Sequence, residues 1–271
     1  LPAASGIFNV EDKEIKSLLK SEEYEIFSNI NLPFHEVPEN SANYLLTLAK
    51  KISSTQELCH YLATMPWGDE VYNIEMHYNL RVIWNTMEQL FPSVKVIPEP
   101  WTTNNLLGCV FQEMFIDIIE MLKCETMSKA SSMRKNQERL EKLDSKTRKK
   151  KGHNIDIIGR SYEPEKYELI KVEIKKNDEL TDQTNCINDR KKLFREMKDS
   201  LDQILLLFED TPKPHKLMVW GISHCGIIYG MDNPFGLDYY RLFTFGRYNL
   251  PSSFSNIGDL LMSIKLLLQL K

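Results

Sequence analysis

Long apolar runs are missing from this chain. No stretch approaches the roughly 18 consecutive apolar residues that a helix needs to cross a bilayer, so a membrane-spanning role is not expected. Cysteines are few and show no pairing pattern: Cys59, Cys109, Cys124, Cys186 and Cys225 are odd in number, scattered and without CxxC spacing. That argues against a disulfide framework and a zinc site, and for reduced thiols in an intracellular setting. His224 and Cys225 are adjacent, but one His-Cys pair without other spaced ligands does not make a metal site. Charge of one sign is not in large excess either. The formal charge is −4 over 271 residues, so a nucleic-acid role would have to come from local patches rather than from the total. A P-loop, a GxGxxG turn and a nucleophile-elbow motif are all absent. Gly226-Ile227-Ile228-Tyr229-Gly230 lacks the strand-to-helix context that such motifs need. An initiating methionine is absent too: the chain opens Leu1-Pro2-Ala3-Ala4-Ser5-Gly6, as a fragment or a processed form would. What remains is the composition of an ordinary globular protein, long enough for one large domain or two modest ones.

Within that composition one pair of segments stands out. Ile155-Asp156-Ile157-Ile158-Gly159 and Lys171-Val172-Glu173-Ile174-Lys175 both alternate and are rich in β-branched residues, so each reads as a strand. Glu163-Pro164-Glu165-Lys166 between them reads as a turn, with proline supplying φ near −65°. A hairpin centred between Pro164 and Glu165 sets Glu163 against Lys166, Ile157 against Val172, Ile155 against Ile174, and Asp156 against Glu173. Period-2 alternation then gathers Asp156, Glu173 and Lys175 on one face. Two carboxylates directly opposed on neighbouring strands repel. A divalent cation between them removes the repulsion, since Mg²⁺ is commonly held by one or two carboxylates plus waters and phosphate oxygens. A lysine two residues on, on the same face, can orient or deprotonate an attacking water. The same residues also suit an ordinary solvent-facing hairpin edge, kept soluble by its charges.

The rest of the chain reads mostly as helix before this pair and as strands and helix after it. Helices are expected from Asn9 to Leu19 with Asn9 as cap, over Ser41–Ile52, over Ser54–Leu62, and over 70–91 with an apolar stripe at Met76, Leu80, Ile83, Met87 and Leu90. His60 and His77 read as packing residues rather than ligands. Pro92, Pro98 and Pro100 mark a boundary, which separates a helical region 1–100 from a second region 104–271. Leu106–Leu122 reads as a helix with Glu113 and Glu120 about two turns apart on one side. Residues 134–151 hold nine Lys/Arg against three acids. Such a run faces solvent or phosphate; it suits a mobile loop, a nuclear import signal, or contact with a nucleic-acid backbone through Arg134, Lys135, Arg148, Lys149, Lys150 and Lys151. After Lys176 a polar loop is expected through Cys186. A helix follows over 188–209, with Leu193, Met197, Leu201, Ile204, Leu205 and Phe208 as its apolar stripe and Gln203 on the polar flank. Strands follow at Leu217–Ile222, Gly226–Met231 and Tyr239–Phe245, then a closing helix over Ile257–Leu270 with Leu260, Leu261, Ile264, Leu267 and Leu268 inward.

Asp156 … Glu173-Ile174-Lys175 resembles the signature of the PD-(D/E)XK, or restriction-endonuclease-like, nuclease superfamily. The flanking text is similar to a group of paralogous proteins of early-diverging fungi, such as arbuscular mycorrhizal species, which resemble the nuclease-type C-terminal domains of Crinkler effectors. That text is Lys129-Ala130-Ser131-Ser132-Met133-Arg134-Lys135-Asn136, Lys150-Lys151-Gly152-His153-Asn154-Ile155-Asp156, and Asp189-Arg190-Lys191-Lys192-Leu193 with Met197-Lys198-Asp199-Ser200-Leu201-Asp202-Gln203. The likeness covers roughly residues 104–271. Two departures stand: Ile155, not proline, precedes Asp156, and no ubiquitin-like Crinkler head or LxLFLAK-type segment is visible.

The resemblance implies an α/β (α+β) fold, with a central mixed sheet flanked by helices and a helical segment before it. It implies Mg²⁺ or Mn²⁺ held by Asp156, Glu173, the carbonyl of Ile174 and one further acid, Glu113, Glu120 or Glu125, among which the sequence does not choose. Lys175 would act on the attacking water, and Gln203 would support the site. The expected function is metal-dependent hydrolysis of phosphodiesters, foremost in double-stranded DNA, in the nucleus or cytoplasm, and for a secreted effector in the nucleus of a host cell. Two other readings stand beside it: a catalytically silent member that binds nucleic acid or a host protein, and an interaction scaffold led by residues 1–100.

Overall fold

The computed structural model describes residues 6–29, 39, 43, 46–48, 50, 54–64, 81, 108–141, 149–162, 164, 166–174, 183–208, 217–223, 226–234, 239–249 and 257–270. The expected helix over 70–91, Lys175, Arg148, His77, His224 and Cys225 lie outside the described residues or, for 70–91, almost wholly so.

In chain order the elements are β1 (Ile7–Asn9), α1 (Lys13–Leu18), α2 (Ser21–Ser28), α3 (Thr55–Thr64), α4 (Gly108–Phe115), β2 (Ile119–Met127), α5 (Lys129–Glu141), β3 (Asn154–Ser161), β4 (Glu168–Val172), α6 (Gln183–Leu205), β5 (Met218–Ile222), β6 (Ile227–Asp232), β7 (Tyr240–Arg247) and α7 (Ile257–Leu268). The strands form one seven-stranded sheet in the order β1-β7-β6-β5-β4-β3-β2. It is mixed: β1 runs parallel to β7 and β4 parallel to β5, whereas β3 pairs with β4, and β5 with β6, antiparallel. Two adjacent parallel strands need a crossover between them, and α6 supplies it. The chain divides into two compact units, one of Leu1–Pro33 with Leu122–Gly246 and one of Phe34–Met121 with Arg247–Lys271. Among the described residues no helix is long and apolar enough to cross a membrane.

The first unit is organised by α6. Leu193, Met197, Leu201 and Ile204 recur every three or four residues and are buried, packing with Val219, Tyr229, Met231, Tyr240, Leu242 and Ile7. The expected stripe, including Leu205 and Phe208 at its margin, is the observed one. Close approach of the helix to β5 needs a residue without Cβ at Gly221, where a Cβ would stand 2.3 Å from the Met197 sulfur. At the other end of the sheet Arg241 is buried. It is paired with both oxygens of Asp232 at 2.9 and 2.5 Å and donates to the carbonyls of Phe27 and Asn29 at 3.0 and 3.1 Å, which ties the end of α2 to β7. In the second unit α7 buries Leu260, Leu261, Ile264, Leu267 and Leu268, the five positions expected. Phe111 of α4 packs edge-on against Tyr248 there.

Four expectations are corrected. Asn9 does not cap a helix. It ends β1, and the cap of α1 is Asp12, whose side chain accepts from the Glu14 amide at 2.9 Å. A three-residue strand whose partner lies more than 230 residues away leaves no local period to read. The helix expected over Leu106–Leu122 stops at Phe115, with a turn closed by the Ile118 amide on the Phe115 carbonyl at 3.0 Å; Ile119–Met127 is then a strand, so Glu120 is not on that helix. Apolar residues on all sides make such a segment ambiguous between helix and strand. The polar stretch before Cys186 is not all loop, because α6 begins at Gln183. The hairpin keeps the expected register at Ile157↔Val172, Ile158↔Lys171 and Gly159↔Ile170, but a bulge between Gly159 and Arg160 shifts it by one toward the turn.

Candidate active site where two neighbouring strands end

The register puts two acids side by side. One residue beyond Ile157↔Val172, Asp156 of β3 comes opposite Glu173, the residue that follows β4. Glu173 still follows the sheet, since its amide donates to the Ile222 carbonyl of β5 at 3.0 Å. The Ile174 amide turns back and donates to Asp156 Oδ2 at 2.6 Å. Ile155, Ile157, Val172 and Ile174, on the other face of the pair, are buried and fix this register.

A helix side chain completes the group. Lys192, on α6 just before the buried Leu193, brings its ammonium to 2.8 Å from Glu173 Oε1 and 3.1 Å from Oε2. Only the Oε2 contact is aligned as a hydrogen bond; the buried Oε1 accepts none. Glu173 is 7 % exposed. Burial pushes its carboxyl up to about 7, Lys192 works against that rise, and the charges of Asp156 and Asp189 add to it. Burial likewise raises Asp156, opposed by the Ile174 amide and Lys192 and assisted by Glu125 and Asp189. In both acids, therefore, burial outweighs the positive charge that Lys192 brings.

The remaining expected site residues fall in several places. Lys175 lies outside the described residues. Glu113 belongs to the second unit, where Arg81 pairs with it at 3.0 Å. Glu120 lies on β2. Glu125, at the far end of β2, is the acid of these three whose charge reaches Asp156, and it holds a left-handed φ of 49°, which costs a non-glycine residue on the order of 1 kcal/mol. Gln203 shares the polar side of α6 with Lys192, but eleven residues separate them, which is about 16 Å along a helix. Its amide instead meets the Met133 sulfur of α5 at 3.3 Å. Lys192 and Asp189 were not expected in the site. The one sequence signal for them is their place on α6, beside the apolar stripe at the end nearer β4.

The basic run divides as well. Arg134 is paired with the buried Asp199 of α6 at 2.5 Å. Lys135 donates to the Lys151 carbonyl at 3.2 Å. Asn136, itself buried, accepts from the Lys150 amide at 2.8 Å and donates to the Lys150 carbonyl at 2.7 Å. Lys149, Lys150 and Lys151 are thus exposed on backbone clamped to α5, just ahead of Asn154–Asp156. Arg148 is outside the described residues.

A cation here would find two carboxylates, Asp156 and Glu173, both hard oxygen donors. Among the described residues no three His, Cys, Asp or Glu side chains are grouped to hold an ion by themselves. Two protein carboxylates with waters are within what Mg²⁺ accepts, and the unaligned Glu173 Oε1 supplies a buried acceptor with no hydrogen-bond donor. Comparison with protein-family models, curated proteins and solved structures finds no match to this chain.

Proposed function

We propose that the chain is a Mg²⁺- or Mn²⁺-dependent nuclease of the PD-(D/E)XK kind, acting on phosphodiester bonds of nucleic acid and foremost of double-stranded DNA. The observation that carries the reading is the opposition of Asp156 and Glu173 at the ends of adjacent strands, with a buried oxygen left without a hydrogen bond. A mixed sheet flanked by helices agrees with it in outline. Asp156, Glu173 and the Ile174 carbonyl would hold the ion, which when bound polarises a phosphoryl oxygen and lowers the pKa of a water. Lys175, two residues past Glu173, would orient or deprotonate the attacking water. Lys149, Lys150 and Lys151, held on the approach to Asp156, would receive the phosphate backbone. Gln203, whose amide meets Met133 on α5, is assigned no part in this step.

A specific observation favours a second reading. Lys192 already neutralises Glu173, and the Ile174 amide already occupies Asp156. A protein with its acids so satisfied binds nucleic acid, or a protein partner, without cutting. One experiment separates the two: incubation of the purified protein with supercoiled DNA and RNA in Mg²⁺, Mn²⁺ or EDTA. The nuclease reading expects nicking that EDTA stops and that Asp156→Asn, Glu173→Gln and Lys175→Ala each remove while far-UV circular dichroism stays unchanged. Metal-independent binding that Glu173→Gln leaves intact, without cleavage of any substrate, supports the silent reading.

A further inference from the structure

We propose that Lys192 is a built-in counter-cation: in the ion-free protein its ammonium holds the place on Glu173 that a divalent ion would take, and it must withdraw for that ion to bind. The inference rests on the metal-dependent reading above.

The geometry sets up a competition. Lys192 Nζ stands within 2.8 and 3.1 Å of the two Glu173 oxygens. A Mg²⁺ ion takes carboxylate oxygens at about 2.0–2.1 Å. Two positive centres that close to the same carboxylate repel strongly at low dielectric, so they exclude each other. The backbone of Lys192 cannot move to relieve this, because the neighbouring Leu193 and, one turn on, Met197 are fully buried in the core. The side chain can: it is 34 % exposed, against 9 % for that of Glu173. A four-carbon stem lets the ammonium swing out.

The arrangement does two things. It keeps a buried carboxylate pair tolerable without an ion, and it lowers apparent ion affinity by the strength of the Lys192–Glu173 pair. A partly exposed pair of this kind corresponds to about fivefold in binding. Arginine at this position would still pair with Glu173, whereas methionine keeps the stem and removes the charge.

The test is calorimetric titration of Mn²⁺ into the purified full chain, with no nucleic acid and no activity readout. Lys192→Met should bind Mn²⁺ about fivefold more tightly than wild type, and Lys192→Arg no more tightly than wild type. If Lys192→Met folds poorly by circular dichroism, Lys192→Gln carries the same expectation. Wild type that binds while the methionine and glutamine variants bind equally or more weakly overturns the inference and leaves the metal-dependent reading standing. Failure of wild type and of every Lys192 variant to bind Mn²⁺ overturns both, because there is then nothing to compete for.

Discussion

Replacing Glu173 by glutamine should make the ion-free protein more stable at pH 8, and the gain should vanish toward pH 5. Glu173 is buried, and burial raises its carboxyl from the ordinary 4.5 to about 7. Below pH 4.5 the folded and unfolded chains both carry the proton, and nothing is lost. As pH rises further, the unfolded chain ionises first while the folded one keeps its proton, so stability falls until the folded group also ionises near 7. The interval between 4.5 and about 7, at roughly 1.4 kcal/mol per pH unit, is roughly 3 kcal/mol. Glutamine never ionises and escapes this loss. The contact with Lys192 is already contained in that folded value, so the expected gain is roughly 3 kcal/mol at pH 8 and below about 1 kcal/mol at pH 5. Urea unfolding in EDTA at both pH values, read by tryptophan fluorescence, measures it. Equal stabilities of the two proteins at pH 8, or a wild-type stability that stays flat or rises from pH 5 to pH 8, would refute the account of Glu173 as a carboxylate whose burial disfavours its charge. Wild type should recover the lost stability on adding Mn²⁺ at pH 8, and the glutamine variant should not.

Three other outcomes follow from the same structure. Lys171 is fully buried and bonded to Glu168 and to Ser128 Oγ, so Lys171→Met should cost about 3–5 kcal/mol by stranding Glu168, and adding Glu168→Gln should return part of it, as read by urea midpoints. Gly152→Ala should cost about 1–3 kcal/mol, because a Cβ there would stand 2.0 Å from the Ser128 carbonyl oxygen at the start of α5; an unchanged melting temperature would contradict it. Alanine at Lys149, Lys150 and Lys151 together should weaken duplex binding and flatten the dependence of log K on log salt by about 2–3 in slope, measured by fluorescence anisotropy; an unaltered slope removes these lysines from the interface.

The acid pair was legible because it rests on local information. Alternation in two short segments fixed which residues share a face, and the buried isoleucines and valine enforced the pairing. Even the bulge at Gly159/Arg160 left Asp156 and Glu173 opposed, since it lies on the turn side of them. The stripes of α6 and α7 were legible for the same reason, a strong period along one element. Most of the losses were non-local. β1 exists because β7 offers it an edge, and β2 because β3 does. Lys192 enters the site because α6 crosses from β4 to β5, a consequence of sheet order that no spacing in the sequence reveals. Gln203 lies on the same side of α6 as Lys192, eleven residues further along it.

That polar side of α6 explains why the parts separate as they do. Lys192, Glu196, Asp199 and Gln203 follow one another at steps of four, three and four residues, flanking the apolar stripe. Each meets a different partner: Lys192 meets Glu173, Glu196 meets His153 at 2.5 Å, Asp199 meets Arg134 at 2.5 Å, and Gln203 meets Met133. The first two partners lie at or beside the strands and the last two on α5, so the helix works as a ruler between acid pair and basic helix. Glu196 Oε2, Asp199 Oδ2 and Gln203 Oε1 are buried without hydrogen bonds along it, and ordered water is the usual occupant of such a polar seam. Arg134 is held by this seam, whereas Lys149, Lys150 and Lys151, on backbone that Asn136 bonds at Lys150, are exposed. Residue 150 is six residues from Asp156, at most about 20 Å of extended chain. A duplex gripped at Lys149–Lys151 would therefore present a phosphate only a few nucleotides away to Asp156 and Glu173. In the proposed nuclease the lysines that would grip the backbone would thus directly precede the strand that carries Asp156.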